Sequence, residues 1–129
     1  MQNPSPQHQK LVAALVDHFK NKLGLTVLSA ALPNFSAPVA HGRHEPDIIA
    51  HDNSGVLHLA EAKASYDDIF SETAKEQFID FSNRIMTGTN TPVPFHIVVY
   101  KEDEPNLLNR LNQLGLGALV GNRIKIWTL

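Results

Sequence analysis

At 129 residues the chain is long enough to bury a core of its own, and it is read as a single domain spanning residues 1–129. The absence of cysteine excludes disulfides and thiolate metal centres and fits a reducing compartment. A formal charge of −2 and a pI near 6.4 argue against a tight, non-specific nucleic-acid binder. No apolar run reaches membrane-spanning length, and the first residues lack the basic-then-apolar order of a signal peptide, so a cytoplasmic protein is expected.

The first element is a helix. Ser5 can cap it with Pro6 in the first turn. Leu11, Leu15, Phe19 and Leu23, with Val12 and Val16, repeat at helical spacing, and Gly24 is a natural stop. Residues 25–32 read as a first strand, and residues 33–42, with two prolines, as a loop. Two arms, 47–52 and 56–63, flank Asn53-Ser54-Gly55. Asp52 and Gly55 suit a type I turn closed by a left-handed glycine, the three-residue loop of a β-hairpin.

Downstream, residues 65–68 read as a connection. Residues 69–86 read as one helix, with Phe70, Ala74, Phe78, Phe81 and Ile85 on one side. The run at 95–100 contains Ile-Val-Val and suits a central strand covered on both faces, reached by a parallel, right-handed crossover. Asp103 can cap a third helix carrying Leu107, Leu108, Leu111 and Leu114, with Gly115 ending it. Residues 118–120 and 123–127 flank Gly121-Asn122 and read as a closing hairpin. Layer rules then give an α/β fold, a mixed β-sheet flanked by helices on both faces.

The hairpin register carries the chemistry. It sets Asp52 against Val56 and Asp47 against Glu61, with Cβ atoms of opposed residues roughly 4.5–5.5 Å apart. Lys63 lies two residues past Glu61, on the same face of its strand. Two adjacent carboxylates repel, and burial raises the pKa of at least one. A lysine relieves part of this and a divalent cation relieves more. Mg²⁺ accepts one or two carboxylates and keeps several waters. Metal-activated water beside a lysine suits hydrolysis of a phosphodiester.

Pro46-Asp47, thirteen residues, then Glu61-Ala62-Lys63, with each half on its own strand and a helix following, resembles the PD-(D/E)XK nuclease superfamily. The resemblance runs over residues 9–100 by order of elements. It implies a restriction-endonuclease-like αβββαβ core and a divalent-metal-dependent nuclease, acting on DNA more readily than RNA. Asp47 and Glu61 would hold Mg²⁺, with Mn²⁺ as a substitute, and the Ala62 backbone oxygen would be a third ligand. Lys63 would orient the attacking water or offset charge in the transition state, and Gln77 matches a glutamine that many members carry on the following helix. There is one departure. Holliday-junction resolvases and some other branches place a glutamate on the first helix, where this chain has only Asp17 as an acid.

Arg43 and His44 precede the catalytic strand and are read as substrate contacts. His8, His18, His58 and His96 read as surface or satisfied core positions, and no stacked aromatic platform for single strands is visible. No sequence-reading module fits in this length, so structural selectivity, a targeting protein partner or a homodimer would have to supply specificity. Three rivals stand beside the nuclease. The triad could be an ordinary charge group on a solvated face. The chain could be a non-catalytic nuclease-fold module that binds nucleic acid or protein, or it could be a nuclease toxin.

Overall fold

The computed structural model describes residues 5–37 and 44–129. Helix α1 (Pro6–Asn21) is followed by β1 (Thr26–Ala30), β2 (Ile48–His51) and β3 (Leu57–Lys63). A short helix α2 (Tyr66–Ile69), α3 (Glu72–Phe81), β4 (Phe95–Val99), α4 (Glu104–Gln113) and β5 (Ile124–Thr128) complete the order. The five strands form one open mixed sheet in the order β1-β2-β3-β4-β5. β1, β2 and β3 run antiparallel to their neighbours, whereas β3, β4 and β5 are parallel. The protein is thus α/β, and no helix among the described residues is long and apolar enough to cross a membrane.

Alternation along the strands splits the core into two layers. Ile48, Ala50, Ala60, Ala62 and Val98 face α1, which contributes Leu11, Val12, Leu15, Val16 and Phe19. Ile49, Leu59, Phe95, Ile97, Val99 and Ile124 face the other way, against Phe78 and Phe81 of α3 and Leu107 and Leu111 of α4. Burial of each Leu, Ile, Val or Phe among them contributes about 1.5–3 kcal/mol. The hairpin register is as expected: Ile48 pairs with Ala60 and His51 with Leu57. Asp52 and Val56 close the turn through a 3.0 Å N–H to carbonyl bond, and Gly55 takes a φ of 83° that favours glycine.

Three expected elements come out differently. The long second helix is two helices, because the Ser71 hydroxyl accepts the Ala74 amide and caps a fresh start at Glu72. The second of these stops at Phe81, and Ile85 instead makes an isolated bridge to Pro92. Asp103 precedes α4 without a side-chain cap, since a 3-10 turn over Lys101–Asp103 leads directly into the helix. The closing hairpin is absent. Gly117–Leu119 is a 3-10 turn, and β5 pairs in parallel with β4, Phe95 against Ile124 and Val99 against Thr128.

A polar chain crosses the α1 layer. The Trp127 indole N–H donates to His96 Nδ1 at 2.8 Å, so the neutral His96 ring carries its proton on Nε2 and offers it to His58 Nδ1 at 2.9 Å. Phe19 packs its edge against the same ring, with centroids 4.7 Å apart. Burial, then the charges of His58, Lys125 and His18, press the His96 pKa down to about 3. Below its ordinary pKa the unfolded chain therefore binds a proton that the folded protein refuses, and stability falls as pH drops from about 6.5 toward 3. His96 alone should cost about 2 kcal/mol between about pH 7 and about pH 5. Urea unfolding of wild type and His96→Gln over that range checks this: the variant should lose most of the slope, and parallel slopes would contradict it.

Candidate active site

The parallel strands β3 and β4 end side by side at one edge of the sheet, where β2 begins and α1 starts. Ligands bind at this carboxyl-terminal edge in open α/β sheets. Asp47 stands just before β2, its carbonyl accepting the Ala31 amide at 2.8 Å. Its own amide donates to the Ala60 carbonyl at 2.9 Å and lies 3.2 Å from Glu61 Oε1. Asp47 Oδ2 accepts the Ala62 amide at 2.9 Å. Glu61 is only 2% exposed, so the group is not a solvated surface cluster. Lys63 Nζ lies 3.7 Å from Glu61 Oε2 and donates to Gln77 Oε1 at 2.5 Å, an anchor from α3 that aims the ammonium at the carboxyls. Asp47, Glu61 and Lys63, expected from the hairpin register, and Gln77, expected from the resemblance, are therefore brought together.

One member of the group was not legible. His8, in the first turn of α1, sets its Nε2 3.0 Å from Asp47 Oδ2. From sequence it reads as a surface or satisfied position, and the contact spans 39 residues, so no local spacing signals it. The first helix thus contributes a base that pairs with Asp47. Asp68 of α2 also approaches, accepting the Ala64 amide at 3.2 Å. His44 packs on α3, 3.7 Å from Glu76 and edge-on to Phe81, next to Gln77 in the helix. Arg43 lies outside the described residues. Beside Ala64 opens a groove of about 490 Å³ lined by Pro6, Gln7, Lys10, Ala64, Tyr100 and Glu102.

The electrostatics follow from burial. It pushes the Glu61 carboxyl well above its usual range, the neighbouring Asp47 adds to this, and Lys63 opposes it. Burial also works to raise Asp47, but the bonds from His8 and the Ala62 amide outweigh it and hold the carboxyl below its usual value. For His8, burial alone would lower the pKa, and the Asp47 carboxylate more than reverses that. The site is short of positive charge, with Glu61 disfavoured as an anion.

The donors present fit a hard divalent cation. The Asp47 and Glu61 carboxyls meet one another, and Glu61 Oε2 lies 3.7 Å from Lys63 Nζ. Because the Ala62 amide points at Asp47, the carbonyl of the same extended residue faces the same side. Among the described residues no group of three or more His, Asp or Glu side chains is set to hold an ion. The donor set is two carboxylates, one carbonyl and water, which suffices for Mg²⁺. No family model, curated protein or solved structure matches the chain.

The His8–Asp47 pair should stabilise the fold in a defined window. The raised His8 pKa contributes stability that is present below about 6.5 and is lost as pH rises through its folded value. The lowered Asp47 pKa contributes stability that is lost as pH falls through its folded value. His8→Ala should therefore cost about 1.5 kcal/mol in mildly acidic solution, where the bond is charge-assisted, and less in alkaline solution. Chemical unfolding across a pH series checks this, and a cost that does not depend on pH would refute a charged pair.

Proposed function

We propose that the protein is a divalent-metal-dependent nuclease of the PD-(D/E)XK type with a restriction-endonuclease-like core, hydrolysing phosphodiester bonds, in DNA by preference. One observation carries the reading. A buried carboxyl, Glu61, is held against Asp47 with the Lys63 ammonium 3.7 Å away, at the edge where parallel strands end. The order of α1, three strands, α3 and β4 supports the same assignment.

Asp47 and Glu61 would hold Mg²⁺ or Mn²⁺, with the Ala62 carbonyl as a third donor. When bound, the ion supplies Lewis acidity and a water activated for attack on phosphorus. His8 and the Ala62 amide fix the orientation of Asp47 by sharing Oδ2. Gln77 holds Lys63 in place, so the ammonium is already positioned where negative charge grows on the phosphoryl oxygens. A charge aimed in advance costs no reorganisation during the reaction, which is why it acts mainly on the transition state. A homodimer or a targeting partner would widen the contact with nucleic acid, which a chain of net charge −2 grips poorly.

A non-catalytic binding module is the second reading. It is favoured by one specific observation: Asp47 Oδ2 is already shared by His8 and the Ala62 amide. Single-turnover cleavage with saturating Mn²⁺ separates the two, using linear, branched and single-stranded substrates. Lys63→Met should lower the rate about 10²–10³-fold, the usual cost of one removed electrostatic contact. It should still bind the metal, because a competing positive charge has gone. Glu61→Ala should lose both cleavage and the rise in melting temperature that Mn²⁺ gives wild type by mass action. Equal rates in all three proteins would defeat the nuclease reading and leave the binding module.

A further inference from the structure

Tyr66 opens α2 three residues after Lys63, so its Cα lies at most about 11 Å from that of the lysine. It is 54% exposed, more than any other large apolar or aromatic side chain among the described residues. It is nonetheless not loose. Its ring stacks on Phe70, with centroids 4.3 Å apart and planes 19° from parallel. Phe70 is itself packed against the core, and the Arg110 guanidinium lies over its ring, 5.5 Å from the centroid. Arg110 in turn donates to the Ser71 carbonyl at 3.3 Å, at the break between α2 and α3. The result is a flat aromatic surface, backed and oriented by fixed neighbours, with one face open to solvent at the rim of the candidate active site. A sequence scan misses it because Tyr66 and Phe70 become a stacked pair only through the short helix α2.

We propose that the open face of Tyr66 stacks an unpaired nucleobase of the substrate, so that the enzyme favours single-stranded or locally unpaired nucleic acid. The inference rests on the nuclease reading and names its substrate class. Inside a duplex both faces of each base are already stacked. Only a single strand, an end, a gap or a branch presents a free face. Charge points the same way. Asp67 and Asp68 adjoin Tyr66 in α2 and repel the phosphates of single strand and duplex alike, so affinity at this point has to come from the base. With a net charge of −2, phosphate contacts supply little affinity, and stacking is a route that does not depend on charge. A tyrosine already held flat also loses little rotamer freedom on binding.

The test measures binding without cleavage, by fluorescence anisotropy in EDTA. The probes are a short fluorescein-labelled single-stranded DNA and the duplex of the same sequence, against the full chain. Tyr66→Ala should weaken single-strand binding about tenfold or more, the usual cost of losing one base–aromatic stack. Tyr66→Phe should stay near wild type and Tyr66→Trp should bind as tightly or more so, because the ring and not the hydroxyl makes the contact. Duplex binding should be the same in all four proteins. Wild-type affinity in Tyr66→Ala, equal weakening of both probes, or no measurable single-strand binding by wild type would each overturn the inference. Failure of the nuclease reading shows separately, as absence of divalent-dependent cleavage by wild type. Circular dichroism should be unchanged in Tyr66→Ala, since the side chain is mostly outside the core.

Discussion

A carboxyl group that is 2% exposed and adjoins a second carboxylate is the most expensive thing this fold buries. Much of the structure around the ends of β2 and β3 can be understood as tolerance of Glu61. The Asp47 amide, while donating to the Ala60 carbonyl across the hairpin, also lies 3.2 Å from Glu61 Oε1. Lys63 stands beside its Oε2, and Gln77 on α3 prevents that ammonium from swinging out to solvent. His8 on α1 then neutralises the second carboxylate. Four segments far apart in the chain are committed to two carboxyl groups. A purely structural role would be met more cheaply by apolar residues of similar volume, which often match or exceed a buried ion pair in stability. The arrangement is thus a cost to the fold that is sensible where the charges are used.

The same strands serve two opposite purposes because a β-strand presents alternate residues to alternate faces. On β3, Ala60 and Ala62 lie flat under α1, while Leu59, Glu61 and Lys63 face the side of α3. Small residues on the α1 side let that helix approach closely, and its N-terminus is thereby brought near enough for His8 to reach Asp47. The α1 layer also holds the Trp127–His96–His58 chain, which leads toward Asp52 at the hairpin turn, 3.6 Å from His58. Each ring in it donates in one direction, so neither histidine needs to be charged to be satisfied. Burial depresses the pKa of both, which fits rings held neutral. Two sets of histidines therefore meet opposite fates: His8 beside a carboxylate is pulled toward the cation, and His96 beside indole and imidazole is pushed from it.

What was legible in the sequence was local or periodic. Asn53-Ser54-Gly55 fixes the hairpin register because a three-residue loop with a left-handed glycine admits one pairing, and Asp47, Glu61 and Lys63 follow from it. Gln77 was singled out only by the resemblance, since on the rim of the apolar stripe of α3 it reads as an ordinary polar helix residue. The break at Ser71 was hidden because Phe70, Ala74, Phe78 and Phe81 keep a helical period across it, and a capping serine leaves no mark on an apolar pattern. The parallel pairing of β5 was hidden for a different reason. Gly121-Asn122 makes a tight turn in either case, and only packing on β4 decides that the chain enters a ladder and does not fold back.

His8 shows the limit most sharply, and it bears on how the site is arranged. Spacing rules recognise groups that one element or one hairpin brings together. A residue from the first helix that completes a site in the sheet is fixed by how two layers stack, which depends on Ala60, Ala62 and Phe19 together. Looking there for a carboxylate alone would miss it, since the position holds a base. With a base there, His8 faces Asp47 and Lys63 faces Glu61, which offsets only part of the negative charge. On the proposed metal-dependent reading, a cation would have to compete with His8 for Asp47, which would tie metal affinity to the orientation of one imidazole. A carboxylate at that position would leave the site more strongly negative. The histidine instead leaves the two carboxyls partly compensated by side chains of the fold itself.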